Sequence, residues 1–219
     1  MRYGITQTVL VLGILFQIQI TVAETIQPIP PEFRARSEAI LAKTPKAEGI
    51  WEVIKDGRLH HIQSGLTCAP GYDSNWMLTD ISVVPTSEPG EDVACKYKIA
   101  PAGTMTIHAT RHRGEDMNKL MAQTVAVIKS LYRVEATGKP ILFGAPNKDV
   151  PPPLAEKLAF TGKTGQPMAT SIWLHETAGW KVKVRTTYPN TLDSAVGAEA
   201  LGIAFWLSSA ASIQEANQP

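Results

Sequence analysis

The chain predicts an α+β fold: a mostly antiparallel sheet built from two β-meander-plus-helix units, preceded by an N-terminal β-hairpin. Three observations carry this. Runs such as Val93–Ile99, Met105–Arg111 and Trp180–Arg185 alternate apolar and polar residues with period two, as half-buried strands do. Two stretches, Glu115–Tyr132 and Leu192–Ile213, instead repeat their apolar residues at helical spacing. The connections between strands are short and local, which suits meanders better than crossovers.

Residues 1–23 read as a signal peptide. Arg2 gives a positive start, Val9–Ile20 is an apolar run, and Thr21-Val22-Ala23 ends in small residues suited to cleavage. The run falls short of the roughly 20 apolar residues a membrane span needs. Removing Arg2 leaves 20 basic against 20 acidic residues. A balance near zero gives no whole-molecule attraction to nucleic acid or to an anionic membrane, so any electrostatic function must come from a local patch. The remaining chain of about 196 residues is enough for one substantial core or two small ones. These features place the mature protein in the periplasm or outside the cell.

Residues 24–49 form a Pro- and charge-rich leader. Phe33, Ser37, Ile40 and Leu41 allow a short amphipathic helix starting at Pro31-Glu32 and ending at Thr44-Pro45, with a flexible leader as the alternative. A single α+β domain is expected over residues 50–213, followed by a tail over 214–219. Its first element is the hairpin Ile50–Gln63, turning at Asp56-Gly57; pairing Trp51 with Ile62 makes Trp51, Val53 and Ile62 the buried face. Ser64–Asn75 reads as a loop carrying Cys68.

Next come strands at Trp76–Val84, Val93–Ile99 and Met105–Arg111. Pairing the last two around Pro101-Ala102-Gly103 puts Val93, Cys95, Tyr97, Ile99, Met105, Ile107 and Ala109 on one face. Lys96, Lys98, Thr104, Thr106, His108 and Thr110 fall on the other. Two cysteines in a small exported domain point to a structural disulfide, Cys68 to Cys95. The helix of Glu115–Tyr132 follows, then a short apolar run at Ile141–Phe143 and a stiff connector at Asn147–Pro153.

The second unit has a strand at Ala155–Thr161, a turn from Gly162 to Pro167, and a closing hairpin. Pairing Glu176 with Trp180 across a three-residue loop, Thr177-Ala178-Gly179, sorts the hairpin. Ile172, Leu174, Val182 and Val184 share one face; Ser171, Trp173, His175, Lys181, Lys183 and Arg185 share the other. The final helix is apolar enough to invite a membrane reading, but Glu199, its serines and its glycines favour a helix buried against the sheet, so no stable span is expected. Both long helices are expected on the Ile/Leu/Val face.

Motifs for catalysis are lacking. There is no nucleophile elbow and no SxxK, and Gly162-Lys163-Thr164-Gly165 lacks the spacing of a phosphate loop. His108 and His112 would lie about 13 Å apart on one strand, too far for one zinc ion. The reading that follows is a non-catalytic exported envelope accessory or binding protein, with no cofactor and no metal. Its ligand, an anionic envelope component, would sit on a basic sheet face of Trp173, His175, Lys181, Lys183 and Arg185 joined by Lys96, Lys98 and His108. Trp173 would stack beneath Lys183. The alternative is a small metal-dependent hydrolase using His108, His175 and a carboxylate.

HHIQSGLTC (His60–Cys68) and GWKVKVRTTYP (Gly179–Pro189) resemble segments of a group of uncharacterised exported bacterial proteins. That resemblance implies compartment and no activity. The order of elements is also similar to the Mog1/PsbP-type α+β sandwiches, many of which are non-enzymatic accessory proteins, an analogy of fold and not of site.

Overall fold

A computed structural model of the protein describes residues 30–71, 75–86, 88–111, 114–141 and 152–218. The signal segment 1–23, His112, Leu142, Phe143 and most of the Asn147–Pro153 connector lie outside these residues. The elements run α1 (Pro31–Lys43), β1 (Trp51–Val53), β2 (Leu59–His61), β3 (Thr67–Cys68), β4 (Trp76–Val83), β5 (Asp92–Ile99) and β6 (Gly103–Thr110). Then follow α2 (Met117–Leu131), β7 (Val134–Gly138), β8 (Leu154–Thr161), β9 (Pro167–Thr177), β10 (Trp180–Pro189) and α3 (Leu192–Ala216).

The main sheet is antiparallel, in the order β4-β5-β6-β10-β9-β8-β7. Two meanders, β4-β5-β6 and β8-β9-β10, meet side by side at β6 and β10. Each is followed by a helix. The α+β class is as the periodicity predicts, and β7 is an extra edge strand whose exposed, polar VEATG sequence carried no alternating signal.

One face of this sheet is deeply covered. α3 lies across it, and the small three-stranded sheet β1-β2-β3 with α1 closes the remainder. Trp51, Leu59, Leu66 and Cys68 thereby join Val93, Cys95, Tyr97, Ile107, Val182, Val184 and Trp206 in one core. The disulfide Cys68–Cys95 ties β3 to β5 inside it, with both residues fully buried. Ser64–Asn75 is therefore not all loop, since Thr67 and Cys68 pair with β2. α1 belongs to the packed body too: Phe33, Ser37 and Ile40 are buried, and the Ser37 hydroxyl donates to the Gly57 carbonyl at 2.6 Å.

The opposite face carries only α2. Its apolar stripe sits over β8 and β9, where Met121 and Ile128 bury against Leu158, Ile172 and Leu174. Asp116 caps it by accepting from the Lys119 N–H at 3.0 Å. Toward β6 and β5 the face is left open. The two long helices therefore lie on opposite faces of the sheet, not on one.

The reason is register. In the closing hairpin Thr177 pairs with Trp180, leaving a two-residue loop of Ala178 and Gly179 with φ of 48° and 77°. Two positive φ values in succession make a primed turn, whose twist matches that of the strands. An alanine there costs about 1–2 kcal/mol, which is why Thr-Ala-Gly-Trp does not announce such a turn. Shortening the loop by one residue shifts every pair by one and turns β9 over relative to β10. Val182 now faces the same way as His175, and Val184 the same way as Trp173. Ile172 and Leu174 face the α2 side with Lys183 and Arg185. The N-terminal hairpin shifts similarly: Trp51 pairs with His61, and Ile62, expected inside, is half exposed. In β5–β6 the observed pairing of Ile99 with Gly103 differs from the expected one by an even step, so the side-chain sorting survives.

Candidate anion-binding cleft

The open part of the α2 face is assembled by β6 and β10. Lys183 lies directly opposite His108, and Arg185 opposite Thr106. Cross-strand partners project to the same side of a sheet, so these four side chains form one cluster. α2 runs past it, and Leu120, Gln123, Thr124, Val127 and Ile128 complete a cleft of about 270 Å³. The floor is basic and the helical wall mostly apolar.

The two cations are poorly solvated and weakly answered. Burial pushes the Lys183 ammonium below its ordinary value; nearby Asp92 opposes that shift and Arg185 adds to it. The Arg185 guanidinium is lowered as well, mainly by burial. Its Nε donates to the Thr170 hydroxyl at 3.2 Å, which fixes the fork without neutralising it. Among the described residues no carboxylate forms an ion pair with either cation. Asp92 instead accepts from the Thr110 hydroxyl at 3.1 Å and stands 3.9 Å from His108 Nδ1. The cleft floor therefore carries two neighbouring, part-buried cations with no ion-paired carboxylate among the described residues.

The remaining residues expected on this face divide. Lys96 and Lys98 share it and are exposed at the β5 side. Lys181 shares it but is almost wholly buried, and its ammonium donates to Glu176 at 3.1 Å, so it is already occupied. Trp173 and His175 do not share it. Both point beneath α3: Trp173 packs under Gly202, and His175 meets the Trp206 ring edge-on with centroids 5.6 Å apart. Trp173 therefore cannot stack on Lys183. Burial also lowers the His175 imidazole below its ordinary value. Since His108 and His175 lie on opposite faces, one ion cannot reach both; among the described residues no group of three or more His, Cys, Asp or Glu side chains converges.

No family model matches the chain. No curated protein and no solved structure matches it either.

Two polar clusters escaped the sequence. Glu199, in the N-terminal third of α3, is fully buried and accepts from Tyr188 at 2.6 Å, from Ser171 at 2.9 Å and from the Ile141 backbone, while Lys157 stands 3.1 Å away. The Tyr188 phenol is raised well above its ordinary range, by burial first and then by its bond to Glu199. The second cluster is His61, tilted against Trp51 and edge-on to Trp180. Its Nδ1 accepts from the Ser64 N–H and contacts the Ser64 hydroxyl at 2.7 Å, and burial lowers it to about 4. Both clusters belong to the closed face and join its layers. The α2 wall of the cleft also escaped, because which flank of a helix lines a groove depends on where the helix lands.

Proposed function

We propose that the protein is an exported, non-catalytic binding protein of the cell envelope whose ligand is anionic. The observation that carries this reading is the pair Lys183 and Arg185, desolvated in a cleft and without a carboxylate partner among the described residues. Unpaired buried charge is costly, and its retention beside an accessible groove is understood if a ligand supplies the counter-charge. Thr106, His108, Gln123 and Thr124 add hydrogen-bonding groups around it. The buried disulfide fits an oxidising compartment, and the N-terminal apolar run fits export into it.

The test is direct. Calorimetric titration of the oxidised mature chain with inorganic phosphate is expected to give saturable binding that weakens at least tenfold in a Lys183→Gln/Arg185→Gln variant. A Lys55→Gln/Lys163→Gln variant, with the same change of charge at exposed sites that do not line the cleft, is expected to bind as the unaltered chain does. Equal binding by the Lys183/Arg185 variant would remove the reading. Fractionation of the producing cells, with the thiols trapped on lysis, is expected to find the chain oxidised and outside the cytoplasm.

A further inference from the structure

The cleft has a feature that a site for a small free anion does not require. Its α2 wall carries Leu120, Val127 and Ile128, and Val127 is 57% exposed although it lies beside the cations. Leu131, one turn beyond Val127 on the same flank, is 65% exposed and prolongs the apolar strip out of the cleft. Leu120 and Val127 are seven residues apart, two helical turns, so the strip runs along the helix axis. Ile128 is itself buried and Leu120 is partly covered, so the uncovered apolar surface is that of Val127 and Leu131, continuous with the core edge at Leu120. That surface begins where the unanswered positive charge ends.

Resting on the binding reading above, we infer that the ligand is an anionic amphiphile: its phosphate-type head seats on Lys183, Arg185 and His108, and its alkyl chain lies along Leu120, Val127 and Leu131 of α2. The head supplies the charge that the two cations lack. Among the described residues the Arg185 fork is held by Thr170 through Nε alone, and its terminal nitrogens can donate to oxygen atoms of the head. The chain supplies the apolar surface that the helix flank lacks. Neither part accounts for the whole cleft by itself. A bare anion leaves the strip wet, and a neutral lipid leaves the cations unpaired.

The test is a titration series of methyl, butyl, hexyl and octyl phosphate, each below its micelle-forming concentration, against the oxidised mature chain. Octyl glucoside serves as the neutral control. Affinity is expected to rise with chain length by about two- to fourfold per methylene, the upper value corresponding to full burial. A Val127→Ser/Leu131→Ser variant, which adds no charge, is expected to shrink the gain in affinity from methyl to octyl phosphate. Three results would overturn the inference: equal affinity for methyl and octyl phosphate, octyl glucoside binding as tightly as octyl phosphate, or octyl phosphate binding that survives Lys183→Gln/Arg185→Gln. The first of these leaves the anion reading standing with a tail-less ligand. Absence of binding by every phosphate, inorganic phosphate included, removes both readings together.

Discussion

The two faces of the main sheet treat charge in opposite ways. Beneath α3, Glu199 is fully buried, yet three side chains and a backbone N–H answer it. Beneath α2, Lys183 and Arg185 are only partly buried, yet no carboxylate among the described residues forms an ion pair with them. The difference follows from coverage. A helix and a second small sheet seal the first face, so a charge there persists only if the protein itself completes it. A single helix covers part of the second, leaving a groove from which a partner can enter. The teaching is that an unanswered charge beside an opening says more about binding than a deeper, answered one.

Four measurements bear on that contrast. The largest effect is expected from Glu199→Ala, which leaves Tyr188, Ser171 and Lys157 without their acceptor. Denaturant unfolding should show a loss of about 3–5 kcal/mol. A loss below 1 kcal/mol would mean that the closed face does not depend on its internal pairing.

Next is acid. His61 ordinarily titrates near 6.5 but is held near 4 in the fold. Between those values the unfolded chain binds a proton that the folded chain refuses, so this contribution is present above about pH 6.5 and lost as pH falls toward 4. The gap amounts to about 3 kcal/mol at most. Unfolding curves from pH 7 to pH 4 should be flatter for His61→Gln than for the unaltered chain.

A smaller effect is expected at Gly202, where an added Cβ would lie 2.5 Å from the Trp173 ring. Gly202→Ala should cost about 1–3 kcal/mol by overpacking, despite alanine's better helix propensity. Because Trp173 lies on the opposite face of the sheet from the cleft, anion affinity should not change.

The smallest change should have the opposite sign. Lys183→Met removes a desolvated, unpaired cation and is expected to raise stability by about 0.5–1 kcal/mol while weakening phosphate binding. A variant that lost stability instead would make Lys183 a structural residue and would dissolve the contrast between the faces.

Much of this organisation is visible in the residues before any coordinates. Period-two alternation located β4, β5, β6, β8, β9 and β10, and helical spacing located α2 and α3. Cys68 and Cys95 were sufficient to suggest their bridge. The basic character of Lys96, Lys98, His108, Lys183 and Arg185 on a shared face also follows from alternation within β5, β6 and β10. These features are local, because a strand's pattern states which of its own residues travel together.

What a pattern cannot state is which of two faces meets which neighbour. That choice was made by one residue at the Ala178-Gly179 turn, whose strained backbone is repaid only by the packing it permits. The turn sent Trp173 and His175 under α3 and left Lys183 and Arg185 beside α2. Parity in a strand is intrinsic to the chain, whereas register between strands is settled by the whole core, since slipping by one residue exchanges every buried side chain for an exposed one. The cleft is a product of that second kind of decision. Its cations come from one strand, the Thr106 hydroxyl and the His108 imidazole from another, and its mostly apolar wall from a helix that only tertiary packing sets beside them.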